Sequence, residues 1–199
     1  MTLDRLRPLA DRLLDPFVTL ARRVGLTPDG VSVLAFGLAV AAGLAFLQAA
    51  PAWYLLGAIF VALNGWLDLL DGALARELQT DSPAGDLLDH VLDRYADIVI
   101  VAGLAGGIQR YALGFAAVTG VLLTSYLGTQ IEAVGLEREY GGLLGRADRL
   151  ALVGIVGVIA AVAPEIGGVS VVAGLLGLFA VVGHLTALQR FVGAWRGLQ

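Results

Sequence analysis

The sequence predicts an all-α integral membrane protein, with six transmembrane helices behind an N-terminal interfacial amphipathic helix. Three observations predict it. Of 199 residues, 58% are hydrophobic and 15% charged, where a soluble domain usually has about 25% charged. Apolar runs near the bilayer-crossing length of about 20 residues recur along most of the chain, broken by Pro, Gly and Arg. Arginines gather in alternate connections, as they do in a protein with a fixed membrane topology.

The elements follow in order. Residues 1–26 form the interfacial segment and 27–199 the membrane domain. In the first, Leu3, Leu6, Leu9 (or Ala10), Leu13, Leu14, Phe17, Val18 and Leu20 recur at helical spacing, with Arg and Asp between them. That pattern suits a helix lying on a leaflet, kinked by Pro16; a helix packed on a soluble partner shows the same pattern. Thr27-Pro28 reads as an N-cap followed by a first-turn proline. The first span is Val31 to Ala50. The second runs from Pro51 to about Arg76 and the third from about Ala84 to Ile108. The fourth runs from Tyr111 to about Val134. The fifth, Leu150 to Val162, is short unless it begins near Arg146; the sixth is Gly168 to about Phe191. The 27 glycines imply close helix packing.

With six spans both termini share one side. That side holds Arg5, Arg7, Arg12, Arg22, Arg23, Arg76, Arg138, Arg146, Arg149, Arg190 and Arg196, with Arg94 inside the third span toward it; Arg110 falls on the other. The arginine-rich side is expected to be cytoplasmic, in the plasma membrane. No cleavable signal peptide is evident, since the first two dozen residues are charged. Cysteine is absent, which excludes disulfide and thiolate chemistry. All 13 basic residues are Arg, which excludes a Schiff-base or P-loop lysine. No nucleic acid partner is expected.

The most informative stretch is DLLDGALARELQTDSPAGDLLDHVLD, from Asp68 to Asp93. Carboxylates at membrane depth are costly and normally partnered. Asp68, Asp71, Asp89 and Asp93 cannot neutralise one another, and a hard divalent cation is the simplest partner. Asp68 and Asp71 are three apart and Asp89 and Asp93 four apart, so each pair shares a helix face. Gly72 and Ala75 leave a groove beside them, and the planar fork of Arg76 suits a phosphate.

The pattern resembles the signature of the CDP-alcohol phosphotransferases, D-x2-D-G-x2-A-R-x8-G-x3-D-x3-D. It is met at Asp68, Asp71, Gly72, Ala75, Arg76, Gly85, Asp89 and Asp93. The resemblance implies transfer of a phosphatidyl or ether-lipid phosphate from a CDP-linked lipid to an alcohol, with release of CMP. It implies Asp68, Asp71 and Asp89 as metal ligands. Asp93 would help to hold a second ion and act as general base on the acceptor hydroxyl. Gly72 and Ala75 would line the cytidine site, and Ser82 would bond the nucleotide phosphate. Four carboxylates do not distinguish magnesium from manganese. A homodimer, typical of such proteins, is expected, with the CDP-lipid supplied by another enzyme.

Three further stretches resemble the phosphatidylinositol-phosphate synthases and their archaeal ether-lipid counterparts: RVGLTPDGVSVL with Asp29, SYLGTQIEAVGL followed by GRADRL, and QRFVGAW. Arg146, Arg149 and Arg190 would then meet a phosphorylated polyol acceptor at the cytoplasmic rim; each also suits a membrane anchor. Gly128 and Thr129 stand where that branch has a basic residue, which keeps glycerol phosphate and serine open as acceptors beside inositol phosphate. From the carboxylates alone, a cation-coupled transporter is a further alternative. Asn64 is read as a metal-site support or a helix-packing residue. His90 is read as a packing residue and His184 as an interhelical hydrogen bonder. Asp86 is placed near the surface, Asp97 in a polar network, and Glu132 beside Arg138 or Arg149.

Overall fold

A computed structural model describes residues 7–80, 82–136 and 144–199, with side chains from Leu13 onward. Leu3, Arg5, Leu6 and Arg138 lie outside the described residues, as do the side chains of Arg7, Leu9, Ala10 and Arg12. The order is α1 (Arg7–Arg23), α2 (Pro28–Leu47), α3 (Pro51–Leu78), α4 (Pro83–Gly107), α5 (Tyr111–Ala133), α6 (Arg146–Val162), β1 (Glu165–Ile166), β2 (Val169–Ser170) and α7 (Val171–Gly197).

Helix starts follow local chemistry. Thr27 caps α2 by accepting from the Gly30 N–H at 3.1 Å, and Ser82 caps α4 through the Gly85 N–H at 3.1 Å. Each is followed by a proline whose missing N–H costs nothing there. Among the described residues, the one departure from an all-α chain is the short hairpin β1–β2, turned by Gly167 and Gly168 at φ +60° and +77°. α6 begins at Arg146, the longer of the two readings, because Asp148 closes its first turn by accepting from the Gly145 N–H at 2.9 Å.

Among the described residues, four helices, α2, α3, α5 and α7, are long and apolar enough to cross a membrane. The other two expected spans fall short of that standard. α4 carries Asp86, Asp89, Asp93, Arg94 and Asp97. α6 has 17 residues, about 26 Å of helix against a hydrocarbon core of about 30 Å. Both shortfalls lie at the end of the bundle where the charges collect.

α2 packs on α3 and α4, α3 on α6, and α5 on α7. The close pairs have no Cβ at the crossing. A Cβ at Gly43 would meet the Val99 carbonyl oxygen at 2.5 Å, and one at Gly183 would meet the Gly120 backbone at 2.6 Å. One core runs through Phe46, Tyr54, Val61, Ile100, Leu104, Leu176 and Phe179. A second cluster docks α1: Leu14, Val18 and Ala21 pack with Val31, Leu70 and Leu74. Phe17 meets Trp66 edge-on at 5.3 Å between ring centroids, and Arg22 pairs with Glu77 at 3.3 Å. Leu13 and Leu20 of α1, and Val24 just past its end, are exposed, and Phe17 is partly so beside Trp66.

Candidate active site

The polar site sits where the C-terminal part of α3 meets the N-terminal parts of α4 and α6, with α2 behind. Ligand oxygens of Asp68, Asp71 and Asp89 all lie within 4.8 Å of one another. Asp71 is buried, and its Oδ2 accepts from the Ser32 hydroxyl at 2.7 Å. Asp93 lies a turn beyond Asp89 on α4 and is joined to the cluster by Arg146. The Arg146 fork reaches Asp68 Oδ2 with one nitrogen and Asp93 Oδ1 with the other, both at 2.6 Å.

The residues present fit a divalent metal. The donor set is all carboxylate oxygen, as hard cations require. A small cavity behind the cluster is lined by Ser32, Asn64, Asp68, Asp89, Asp93 and Arg146. The buried Asn64 Oδ1 has no hydrogen-bond partner. A polar atom left so at the floor of an acidic cavity calls for water or a hydrated ion.

The outer rim carries the remaining signature residues. Gly85 faces both Asp29 and Ser82: a Cβ there would meet Asp29 Oδ1 and Ser82 Oγ at 3.3 Å. Ser82 Oγ spends a lone pair on the Gly85 N–H and keeps its own hydrogen for donation. Gly72 lies beside Arg76, whose guanidinium would be 3.5 Å from an added Cβ. Arg76 is exposed and Ala75 half-buried. All of these face the same end of the bundle as the aspartates.

The three arginines expected at the acceptor separate. Arg146 is at the carboxylates. Arg190, on α7, donates to the Thr124 carbonyl of α5 at 2.5 Å. Arg149 is 7% exposed, so the expectation of a rim position is corrected. It lies inside the bundle because a buried carboxylate, Asp97, receives it at 3.1 Å. Arg94 links the layers, with Asp93 at 3.6 Å, Asp97 at 3.5 Å, and a hydrogen bond to the Ser125 hydroxyl.

Among the other polar residues, His184 pairs with Thr119 across α5 and α7 at 3.3 Å, as expected. Asn64 donates to the Ala35 carbonyl at 2.9 Å, a helix-packing bond, while its free oxygen lines the site. His90 is corrected from a packing residue to an exposed one, its Nδ1 2.8 Å from the Asp86 carbonyl. Ser32 was not singled out; its signal is a hydroxyl in an otherwise apolar α2, one turn after Pro28. A cavity of about 930 Å³ lies at the other end, among Ala49, Tyr54, Arg110 and Glu165. It holds none of the signature residues and lacks a carboxylate cluster, so the chemistry belongs at the aspartates.

The fold and this site define an integral membrane protein with an acidic metal-binding centre at one end of its helices. The family model for CDP-alcohol phosphatidyltransferases matches residues 25–188, and the chain belongs to that family. It is a CDP-alcohol phosphatidyltransferase, an enzyme of phospholipid synthesis. It is 30% identical over 200 residues to the archaetidylinositol phosphate synthase of Methanothermobacter thermautotrophicus, covering 99% of this chain and 96% of that protein. Two crystal structures of Mycobacterium tuberculosis phosphatidylinositol phosphate synthase share the fold. The one with CDP-DAG bound has a TM-score of 0.78 at 29% identity, covering 92% of this chain and 94% of that one. The complex with manganese and citrate has 0.80 at 28% identity, covering 92% and 88%.

Proposed function

We propose that the protein transfers the phosphatidyl or archaetidyl phosphate of a CDP-linked lipid to a polyol phosphate, with inositol phosphate favoured, and releases CMP. The observation that carries this reading is the Arg146 fork, 2.6 Å from both Asp68 and Asp93. It puts a phosphate-binding cation between a metal ligand and the residue assigned as base. With Arg149 held by Asp97 and Arg190 by the Thr124 carbonyl, the arginine supply is larger than an uncharged alcohol needs. The names of the similar proteins support the same acceptor.

In this reading Asp68, Asp71, Asp89 and Asp93 would hold magnesium or manganese, and such an ion would supply charge to offset the diphosphate. Gly72 and Ala75 leave room for the cytidine. Arg76 and Ser82 bind the donor phosphates, and Asp29 joins them at the rim. Asp93 takes the proton of the attacking hydroxyl. Arg146, Arg149 and Arg190 hold the acceptor phosphate and orient that hydroxyl.

The membrane frame belongs to the same proposal. α2 to α7 make six spans, α1 lies in the interface with Leu13, Phe17, Leu20 and Val24 in lipid, and the site opens to the cytoplasm. α3 has 28 residues, about 42 Å, so its last two turns, with Arg76, extend beyond the hydrocarbon core toward water, and Asp71 falls at its edge with Asp68 a turn deeper. A water-soluble acceptor and a lipid donor then meet at one surface. Residues 1–26 and 27–199 form the two parts, and the working unit is a homodimer.

Glycerol phosphate is the second reading. Gly128 is buried and Thr129 bonds its own helix at the Tyr126 carbonyl, 2.9 Å away. Neither supplies the extra cation a larger acceptor would use. The test is CMP release from CDP-lipid with magnesium or manganese, offering inositol phosphate, glycerol phosphate, serine and free inositol in parallel, with Asp93→Asn as control. Release driven by inositol phosphate and lost in the variant is expected. Release driven by serine or free inositol would overturn the phosphorylated-acceptor reading.

A further inference from the structure

Arg149 breaks two rules at once. It lies in the first turn of α6, where the helix dipole disfavours a cation. It is also 7% exposed in the interior of a membrane protein, where a charge is retained chiefly for function and with a partner. Its Nε is buried without a hydrogen-bond partner. Asp97 holds it: buried to 6% exposure, one turn past Asp93 on α4, it accepts from Arg149 at 3.1 Å. The same Asp97 oxygen is 3.5 Å from Arg94, whose other nitrogen is 3.6 Å from Asp93. Asp97 therefore receives two arginines from two helices, and it is outside the group of carboxylates that can share a metal.

We propose that Asp97 is a positioning residue for the acceptor side of the site. It aims the Arg149 fork at the acceptor phosphate and draws Arg94 away from Asp93. The division of labour has a physical basis. The carboxylates above it are committed to a metal and to proton transfer, so they are poor permanent counterions for Arg149. A carboxylate one turn deeper satisfies the arginine without competing for the ion. Without it, Arg94 would turn wholly to Asp93, and Arg149 would lose the partner that fixes its orientation. A plain structural lock between α4 and α6 would use the same ion pair but would not separate acceptor from donor.

The proposal rests on the phosphorylated-acceptor reading, and the experiment separates the two. Steady-state CMP release is measured for the wild-type protein, Asp97→Asn and Asp97→Glu, varying CDP-lipid and the phosphorylated acceptor independently. Manganese-dependent melting is followed alongside. Loss of an orienting partner is expected to raise the acceptor KM on the order of tenfold in Asp97→Asn. A smaller rise is expected in Asp97→Glu, which keeps the charge but displaces it. The KM for CDP-lipid and the manganese midpoint should stay within about twofold of wild type. An unchanged acceptor KM, or parallel rises in both KM values, would overturn the role of Asp97. If Asp97→Asn does not fold, Asp97→Glu decides by the same criteria. If wild-type protein responds to no phosphorylated acceptor, the acceptor reading falls first, and the proposal falls with it.

Discussion

Ser32 shows how much one hydroxyl contributes at this site. It donates to Asp71 at 2.7 Å and lies 3.2 Å from the Pro28 carbonyl, so it ties a metal-site carboxylate to the first turn of α2. Such a bond is worth about 1 kcal/mol in stability, and partners behind a metal ligand typically carry 10–100-fold in affinity or activity. Ser32→Ala is therefore expected to weaken manganese binding on the order of tenfold, read from the metal dependence of the melting temperature. An unchanged midpoint would show that Asp71 needs no support. Arg146→Lys is expected to fail differently. A point charge cannot span Asp68 and Asp93 as the planar fork does, so CMP release should fall while CDP-lipid still binds. The signature aspartates, Gly72, Ala75, Arg76 and Gly85 were all legible in the sequence because their spacing within two neighbouring helices is local. Ser32 and the Arg94–Ser125 pair were not assigned roles, because the partners are 39 and 31 residues apart on geometry that only packing creates.

At the scale of elements, α1 is more than a membrane float. Leu14 is 1% exposed against Leu70 and Leu74, which flank Asp71 on α3. Leu14→Ala is expected to cost about 2–5 kcal/mol, visible as a lower melting temperature in detergent, and to raise the KM for CDP-lipid. Leu13→Ala, on the exposed stripe, should leave detergent stability unchanged. Equal losses in the two variants would remove the distinction between the faces of α1. Most of the helices were readable, since prolines or hydroxyl caps mark the starts of α2, α3, α4 and α7. α4 and α6 were read as spans, but α4 lacks the apolar composition of α2, α3, α5 and α7 because it carries the site, and α6 is too short. The tolerance of α4 for its charges lies in their partners, Arg146, Arg149 and Arg94, and these come from the fold.

At the scale of the molecule, the helix ends sort into two groups. One end gathers Arg22, Arg76, Arg146 and Arg196 with the aspartates; the other gathers Ala49, Arg110 and the β1–β2 hairpin. A chain without cysteine is a ready background for testing this. In intact cells, Gly167→Cys is expected to react with a membrane-impermeant maleimide and Gln199→Cys only after lysis. The reverse pattern would invert the proposed orientation. Stability should also be linked to the metal, since an ion that binds only the folded protein stabilises it by mass action. Chelation is expected to lower the melting temperature, and magnesium or manganese to restore it. Asp71→Asn should abolish most of that response.

Sequence alone determined the class of the protein: apolar length set the helices, and eight residues at fixed spacing set the donor chemistry. Both are local properties, since helical periodicity converts sequence distance into position on one face. Only the tertiary structure decided which arginine serves which carboxylate. Arg146 and Arg149 are three residues apart on one helix, yet one reaches Asp68 and Asp93 while the other is buried against Asp97. That choice depends on how α6 packs against α3 and α4, and on where a charge removed from water finds its countercharge.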